Sequence, residues 1–250
     1  MPHTMLEIET ADGRCPTHAY YPEGHGPWPA VLMFMDGIGM RRALEDMAAR
    51  LSSSGYYVLL PDLFYRVGYK GEHGMNLFTD PAAREDFMNR LAPSASPENI
   101  MRDTQAFLAH LEADPKVEHN KVGITGYCMG GRLAFIAAGT YGDRVAASAA
   151  YHPSGLATDK PDSPHLLAPK IRGQIYVGGA IEDHGFDDAQ KARLDQALTD
   201  AGVTHKVETY NAHHGWVPAD TPAHDVVETE HHWRTLLALF GQTLGHGPTS

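Results

Sequence analysis

The stretch KVGITGYCMGGRLAFIAAGTY, residues 121–141, decides the fold prediction. It reads as a short apolar strand from Val122 to Thr125, an abrupt turn, and a helix rich in small residues. Cys128 stands at the apex of the turn, with Gly126 two residues before it and Gly130 two residues after it. This G-x-C-x-G pattern is typical of a nucleophile elbow, with sulfur where serine oxygen is commoner. Bulky side chains beside the apex would keep the strand and the helix apart, so the strained turn itself requires glycine.

Cys128 combines two features of an activated nucleophile. It stands at the N-terminus of the predicted helix, where the partial positive charge of unpaired N–H groups favours the thiolate, the form that attacks. The backbone N–H of the next residue, Met129, points toward the same space and can donate to an oxyanion. The alternatives are an inert buried cysteine and a weak phosphate-binding loop. The rest of the chain must therefore supply the partners of a nucleophile.

Two later segments offer those partners in the order nucleophile, acid, histidine that α/β-hydrolases use. The first is a strand end followed by Glu182 and Asp183. A carboxylate there can accept a hydrogen bond from a catalytic imidazole, and spacing alone does not separate the two acids. The second is a loop that carries His213 and His214 and can reach back over the nucleophile. The chain order therefore predicts a triad of cysteine, histidine and an acid.

Three motifs in this order give the chain a resemblance to the dienelactone hydrolase family: G-Y-C-M-G-G at 126–131, D-H at 183–184 and H-G-W at 214–216. The segments D-G-I-G at 36–39 and P-D-L at 61–63 extend the resemblance to nearly the whole chain. It implies an α/β-hydrolase fold, which is a mostly parallel, doubly wound sheet flanked by helices. It also implies that Asp183 and His214, rather than their neighbours Glu182 and His213, are the partners of Cys128.

The loop D-G-I-G at 36–39 follows an apolar run, Ala30 to Met35, that reads as a central strand. Loops after the strands form the site in a doubly wound sheet, so the Gly37 N–H is the candidate second oxyanion donor. The family resemblance places an acidic residue, usually glutamate, at Asp36, where it contacts the resting thiol. The structural alternative for Asp36 is a loop or cap aspartate ahead of a helix at about 41–53.

One departure from the family concerns the substrate. In the family an arginine follows the catalytic histidine by four residues and helps to hold the dienelactone carboxylate, whereas this chain has Pro218 there. This departure argues against dienelactone as the substrate, and it argues much less against the assignment of the chain as a hydrolase. Arg66 and Arg84, in the irregular connection between 61 and 97, could bind a carboxylate bidentately. For each, a solvated or internally paired arginine is an equal alternative.

Four further residues are candidates for substrate contact or support because they adjoin these loops. Tyr127 precedes the nucleophile, Tyr151 and His152 end a strand that begins at Val145, and Trp216 lies two residues after His214. His152 could also be an ordinary loop histidine, and tryptophan is as often a core residue. The set predicts an aromatic, partly apolar pocket.

The length and composition of the chain define its class. The 250 residues fit one α/β domain, 1–250, that can bury a core without disulfides. A formal charge of −11 without a basic stripe argues against a nucleic-acid partner. The chain has two cysteines, no signal-like N-terminus and no apolar run near the roughly 18 residues of a membrane span. We therefore expect a cytoplasmic protein that does not enter a membrane.

Sixteen histidines raise the question of a metal site. The adjacent pairs at 213–214 and 231–232 point their side chains in different directions, and no H-E-x-x-H or C-x-x-C spacing accompanies them. We expect no metal and no organic cofactor. The expected partner is a small-molecule ester or lactone, and the expected assembly is a monomer or a homodimer.

The resulting hypothesis is a hydrolase that cleaves a small lactone or ester through Cys128, His214 and Asp183, with a thioester acyl-enzyme. One alternative is a general small-ester or thioester hydrolase without lactone preference. Another is a catalytically silent member of the fold that binds a ligand. The presence of all three triad residues in order argues against the silent member.

The remaining elements follow from apolar periodicity and capping residues. We predict an edge hairpin from strands at 5–9 and 17–21, further strands at 56–60, 171–178 and 205–210, and helices at 81–91, 96–114, 187–201 and 224–244.

Overall fold

The computed structural model describes residues 1–245, apart from the side chain of Phe78. The strands in that range are β1 (His3–Thr10), β2 (Gly13–Tyr20), β3 (Ala30–Phe34), β4 (Tyr57–Pro61), β5 (Val122–Tyr127), β6 (Val145–Tyr151), β7 (Gln174–Gly179) and β8 (His205–Thr209). The α-helices are α1 (Arg42–Ser53), α2 (Pro81–Asp86), α3 (Ala92–Ser94), α4 (Pro97–Ala113), α5 (Met129–Thr140), α6 (Asp188–Asp200) and α7 (Val226–Leu244).

The described strands form one sheet in the order β1-β2-β4-β3-β5-β6-β7-β8. The β1–β2 hairpin lies at one edge and pairs antiparallel with β4, as the sequence predicts for an edge hairpin. Every pairing from β4 to β8 is parallel. The prediction of a mostly parallel, doubly wound sheet is therefore confirmed.

The central strands owe their continuous apolar sequence to cover on both faces. Every residue of β3 and of β5 is buried, so neither face can carry the alternate polar residues of a half-exposed strand. The carboxyl ends of these parallel strands lie at one edge of the sheet. The loops that follow β3, β5, β6 and β7 therefore gather at that edge.

The helices begin and end close to the predicted residues because their capping residues are explicit. The side chains of Ser96, Asp187 and Asp225 accept hydrogen bonds from the first turns of α4, α6 and α7. Gly245 ends α7 with a φ of 90°, a left-handed conformation that favours glycine.

Two segments differ from the prediction. The predicted helix at 81–91 is α2 followed by a π-helical turn, Phe87–Leu91, and the short α3. Strand β7 begins at Gln174 rather than at residue 171, and residues 171–173 connect it to a preceding 3₁₀ segment, Pro164–Lys170. The π-helical turn brings the Phe87 ring against the loop after β3, where a Cβ on Gly37 would lie 3.2 Å from it. No helix within residues 1–245 is long and apolar enough to cross a membrane.

Candidate active site

Cys128 lies between β5 and α5 in a strained backbone conformation, with φ 54° and ψ −116°. The strain reflects the close approach of strand and helix. A Cβ on Gly126 would lie 2.1 Å from the Gly130 carbonyl oxygen, and a Cβ on Gly130 would lie 2.3 Å from the Met35 carbonyl oxygen. Neither position admits a side chain, which is the geometric reason for the glycines on both sides of the cysteine.

His214 and Asp183 are joined by a hydrogen bond in which Nδ1 donates to Oδ2 at 2.7 Å. The Asp183 carboxylate also accepts the Gly185 N–H at 2.9 Å and is 7% exposed. The neighbouring residues are placed differently. The side chains of Glu182 and His213 are 79% and 65% exposed and lie 3.9 Å apart at the surface.

Opposing effects act on the protonation of these two groups. Burial disfavours the charged form of His214, but hydrogen bonds to Asp183 and Cys128 and the charges of both raise its pKa to about 10. Burial also disfavours the charged form of Asp183, which raises its pKa. The hydrogen bond and the charge of His214 more than offset this effect, so the pKa of Asp183 lies below its usual value. The arrangement favours an imidazolium held between the carboxylate and the sulfur.

Asp36 is buried, and its carboxylate is fully engaged. Arg41 donates from Nη1 to Oδ1 at 2.7 Å and from Nη2 to Oδ2 at 2.9 Å, and the Ile38 N–H donates to Oδ1 at 3.0 Å. Burial raises the pKa of Asp36, against the effect of Arg41. The contact expected between Asp36 and the thiol stays a prediction, and the structure adds a bidentate ion pair with Arg41 that the aspartate side chain makes within its own loop.

Arg41 also pairs with a carboxylate on a second loop. Its Nε and Nη2 donate to the Asp220 carboxylate at 2.7 and 3.1 Å. Asp220 lies between His214 and α7, so one guanidinium links the loop after β3 to the loop that carries the histidine. Sequence reasoning missed Arg41, although its position five residues after Asp36 was an available signal.

A pocket of about 270 Å³ opens beside Cys128 and His214. Its walls come from the loop after β3, residues 36–38, from His152 at the end of β6, and from residues 215 and 221–223 of the histidine loop. The side chains of Ile38, Pro222 and Ala223 give these walls an apolar character. The wall at 221–223 carries no chemical motif, so the sequence did not reveal it.

The backbone N–H groups of Gly37, which lines the pocket, and of Met129, which follows Cys128 in the chain, make no hydrogen bond within residues 1–245. The Ile38 N–H, by contrast, is bound to the Asp36 side chain. Gly37 and Met129 belong to the loop after β3 and to the first turn of α5, as the sequence predicts.

His152 is a buried pocket residue with a positive φ and two aromatic rings packed against its imidazole. It is 1% exposed, has a φ of 36°, and lies with its ring centroid 5.0 Å from that of His214 and 4.9 Å from that of Trp216. Burial, followed by the nearby His214 and His232, holds the pKa of His152 well below its usual range. The imidazole is therefore neutral at physiological pH.

Tyr127, Tyr151 and Trp216 are fully buried and do not line the pocket. The Tyr127 hydroxyl lies 3.0 Å from His232 Nε2, and the Tyr151 hydroxyl lies 3.1 Å from Thr235 Oγ1, so both tyrosines pack against α7. Trp216 packs behind His152. The three aromatic residues support the pocket from the core, because their rings face α7 or other core rings.

The two arginines proposed for a substrate carboxylate lie elsewhere. Arg66 donates two hydrogen bonds to the buried Asp103, at 2.7 and 2.6 Å, and one to Asp12 at 2.8 Å. Arg84 is exposed on α2. Neither residue lines the pocket. For Arg66 the structure supports the alternative of an internally paired arginine, and for Arg84 it supports that of a solvated one.

Comparison with known proteins adds to this geometry. The sequence profile of the dienelactone hydrolase family matches residues 16–244. The carboxymethylenebutenolidase of Rhodococcus opacus is 26% identical over 256 residues, which cover 98% of this chain and 96% of that protein.

Solved structures share the fold. A candidate dienelactone hydrolase from Klebsiella pneumoniae superposes with a TM-score of 0.84 at 20% identity, covering 96% of this chain and 98% of that one. A dienelactone hydrolase from Anabaena variabilis gives a TM-score of 0.68 at 17% identity, covering 97% and 98%. These likenesses confirm the predicted α/β-hydrolase fold.

Proposed function

The chain belongs to the dienelactone hydrolase family and is a carboxylic ester hydrolase, and we propose that it cleaves a small lactone or ester by acyl transfer through Cys128. The observation that carries the proposal is the hydrogen bond between His214 and Asp183 beside a pocket that both Cys128 and His214 line. A nucleophile, a base and a group that orients the base are the three parts that this chemistry needs.

In the first step the Cys128 sulfur attacks the carbonyl carbon of the substrate. The C–S bond forms, and the carbonyl electron pair moves to oxygen. When the tetrahedral intermediate collapses, the C–O bond to the leaving alkoxide breaks and His214 gives it a proton. Asp183 holds His214 with Nδ1 protonated, so the other ring nitrogen, Nε2, faces the reaction. A lactone keeps its alcohol attached, and an ester releases it.

In the second step water cleaves the thioester. His214 now accepts a proton from the water, whose oxygen attacks the thioester carbonyl. The C–S bond then breaks and the acid leaves, which restores the Cys128 sulfur. The same histidine acts as acid and then as base because its proton is lost in the first step and regained in the second.

The N–H groups of Gly37 and Met129 are the proposed oxyanion donors. Both are free of hydrogen bonds within the described chain, and both belong to segments beside Cys128. A free donor costs no rearrangement when charge develops on the substrate oxygen. Each such donor contributes about 3–4 kcal/mol to the stabilisation of the transition state in comparable enzymes.

The experiment that tests this proposal compares hydrolysis of cis-dienelactone and of 4-nitrophenyl acetate by the wild type and by Cys128→Ala. We expect kcat/KM on every accepted substrate to fall at least about 10³-fold in the variant, since the covalent route is lost. Acid quenching followed by mass spectrometry should detect an acylated Cys128 in the wild type. Comparable turnover by the wild type and the variant would rule out Cys128 as the nucleophile.

The matched control is Cys15→Ala. Cys15 is fully buried, and burial raises the pKa of its thiol to about 12, so this cysteine is not reactive and its removal should leave turnover unchanged. The choice of substrate separates the remaining alternatives. Rapid opening of the lactone would establish the lactone reaction, and turnover of the ester alone would identify a small-ester hydrolase.

A further inference from the structure

The His152 ring, which lines the pocket, has hydrogen-bonding capacity that no described residue uses. Neither Nδ1 nor Nε2 of its ring has a hydrogen-bond partner within the described residues, although the residue is 1% exposed. Its ring lines the pocket beside Cys128 and His214. Burying such a group without a partner costs about 1–3 kcal/mol, so a group on a bound molecule that pairs with it regains that energy.

The backbone places His152 close to the nucleophile. The Cys128 N–H donates to the carbonyl oxygen of Tyr151, the residue before His152, at 3.0 Å. The acyl part of the substrate becomes attached to Cys128 in the first proposed step and stays there until water cleaves the thioester in the second. A hydrogen bond from this ring is therefore best placed to act on the acyl group rather than on the departing alcohol.

The charges around the pocket disfavour an anionic acyl group. No lysine or arginine among the described residues lines the pocket. The nearby Arg41 is shared by two carboxylates, Asp36 and Asp220, which leaves that group of three with one excess negative charge. Arg66 is bound to Asp103 and Asp12, and position 218 is proline. A buried substrate carboxylate would have no lysine or arginine to pair with, and the His214 imidazolium is already bound to Asp183.

From these observations we propose that the pocket selects uncharged lactones and esters, and that His152 binds an uncharged hydrogen-bonding group on the acyl part of the substrate. The inference rests on the proposed function, because it names the substrate class of the same site. A neutral imidazole offers one donor and one acceptor, which suits a ketone, a hydroxyl or an ether oxygen.

The test uses three 4-nitrophenyl esters of nearly equal size. The pentanoate ends in an ethyl group, the levulinate carries a ketone at the fourth carbon, and the hemisuccinate carries a carboxylate there. The nitrophenol leaving group is the same in all three, so differences in kcat/KM report on the acyl group. Rates measured with Cys128→Ala are subtracted, which removes spontaneous hydrolysis, including attack by the succinate carboxylate on its own ester.

For the wild type we expect kcat/KM to be highest for levulinate, and at least about 10-fold lower for hemisuccinate, because its carboxylate would be buried without a lysine or arginine to pair with. In His152→Phe, which keeps a ring of similar size, the ratio of levulinate to pentanoate should fall by about 3- to 10-fold, the value of one hydrogen bond. Asparagine tolerates the positive φ at this position and keeps a donor and an acceptor. In His152→Asn the preference in kcat/KM for levulinate over pentanoate should therefore be partly retained.

The matched control is His110→Phe. His110 on α4 also has a buried ring nitrogen without a partner among the described residues, but it does not line the pocket. Its replacement should leave the ratio unchanged. The design also separates binding from positioning. If His152 only orients His214, His152→Phe will slow all three esters equally and the ratio will not move.

Two results would overturn the inference: hemisuccinate hydrolysed as fast as levulinate, or an unchanged ratio of levulinate to pentanoate in His152→Phe. Both leave the proposed function intact so long as hydrolysis depends on Cys128. Equal turnover of the esters by the wild type and Cys128→Ala would instead defeat the proposed function itself. The two failures are therefore distinguishable in one set of assays.

Discussion

At the scale of single residues, the protonation of His214 is set by a competition between burial and its two partners. Burial alone would favour a neutral ring, as it does for His152. The Asp183 carboxylate and the Cys128 sulfur reverse that preference for His214 and raise its pKa to about 10. Two histidines with ring centroids 5.0 Å apart are therefore driven to opposite protonation states. One is suited to proton transfer and the other to neutral hydrogen bonding.

The first prediction at this scale concerns Asp183→Asn. Removing the carboxylate removes a hydrogen bond to a charge and an attractive interaction, so the pKa of His214 should fall below about 10. Catalysis should fall by about 10²–10⁴-fold in kcat/KM, because the imidazolium is no longer stabilised or oriented. An NMR titration of ¹⁵N-labelled imidazoles measures the pKa, and His214→Gln identifies the resonance.

Glu182→Gln changes an exposed neighbouring acid and serves as the control. An unchanged His214 titration in Asp183→Asn would contradict the role of the carboxylate.

Sequence reasoning located residues whose partners follow from chain order and missed those whose partners follow from packing. Chain order predicted an acid and a histidine after the nucleophile, and the family resemblance favoured Asp183 and His214 over their neighbours. The sequence could not decide between substrate binding and internal pairing for Arg66, because its partners Asp12 and Asp103 are 54 and 37 residues away in the chain and no local pattern connects them. The isolation of the His152 ring is likewise a property of the packed structure alone.

At the scale of elements, Arg41 connects two loops that both contribute residues to the pocket wall. It pairs with Asp36 after β3 and with Asp220 ahead of α7. The two carboxylates differ in burial: the Asp36 side chain is 5% exposed and that of Asp220 is 38% exposed. The same guanidinium therefore makes one buried ion pair and one near the surface, and the two should differ in their contribution to stability.

We predict that Arg41→Met lowers the free energy of unfolding by about 3 kcal/mol or more, because Asp36 is left buried without a partner. Asp220→Asn should lower it by less than about 1 kcal/mol. Urea unfolding measures both values. The double variant Asp36→Asn, Arg41→Met should be more stable than Arg41→Met alone, since no charge is then left unpaired. Equal losses in Arg41→Met and Asp220→Asn would show that burial of Asp36 does not govern the pair.

The elements themselves were largely predictable, and the exceptions have local causes. Strands buried on both faces and helices with clear caps, such as β3 and α4, were placed to within a residue or two. The segment at 81–94 was not, because Pro93 has no N–H to donate and a π-helical turn precedes it. That turn carries Phe87 to the loop after β3, so the feature that the sequence did not predict bears on the site.

At the scale of the whole molecule, the folded state holds two histidines in a neutral, buried form. Burial lowers the pKa of His232 to about 3 and that of His152 well below its usual range. In the unfolded chain each would titrate near 6.5. Below that pH the unfolded chain therefore binds more protons than the folded one. The stabilisation is complete above about pH 6.5 and is lost as the pH falls toward the folded values.

His214 does not cancel this effect. Its pKa is higher in the folded state than in the unfolded chain, so it stabilises the fold fully below about pH 6.5 and loses that contribution only as the pH rises toward 10. In the acid range both the folded and the unfolded chain carry a protonated His214, and its contribution is constant. In that range the change of unfolding free energy with pH therefore has contributions from His152 and His232 but not from His214.

The last prediction follows from that separation. Between pH 6.5 and 5, His232→Gln should reduce the slope of unfolding free energy against pH by up to about 1.4 kcal/mol per pH unit, the value of one proton. Glutamine does not titrate and keeps an acceptor for the Tyr127 hydroxyl, so the variant tests protonation and not packing alone. Urea unfolding at several pH values gives the slope, and His119→Gln, which changes an exposed histidine, should leave it as in the wild type. If the unfolding free energy of His232→Gln and of the wild type changes equally with pH, the fold does not hold His232 neutral. The acid sensitivity of the protein must then come from other groups.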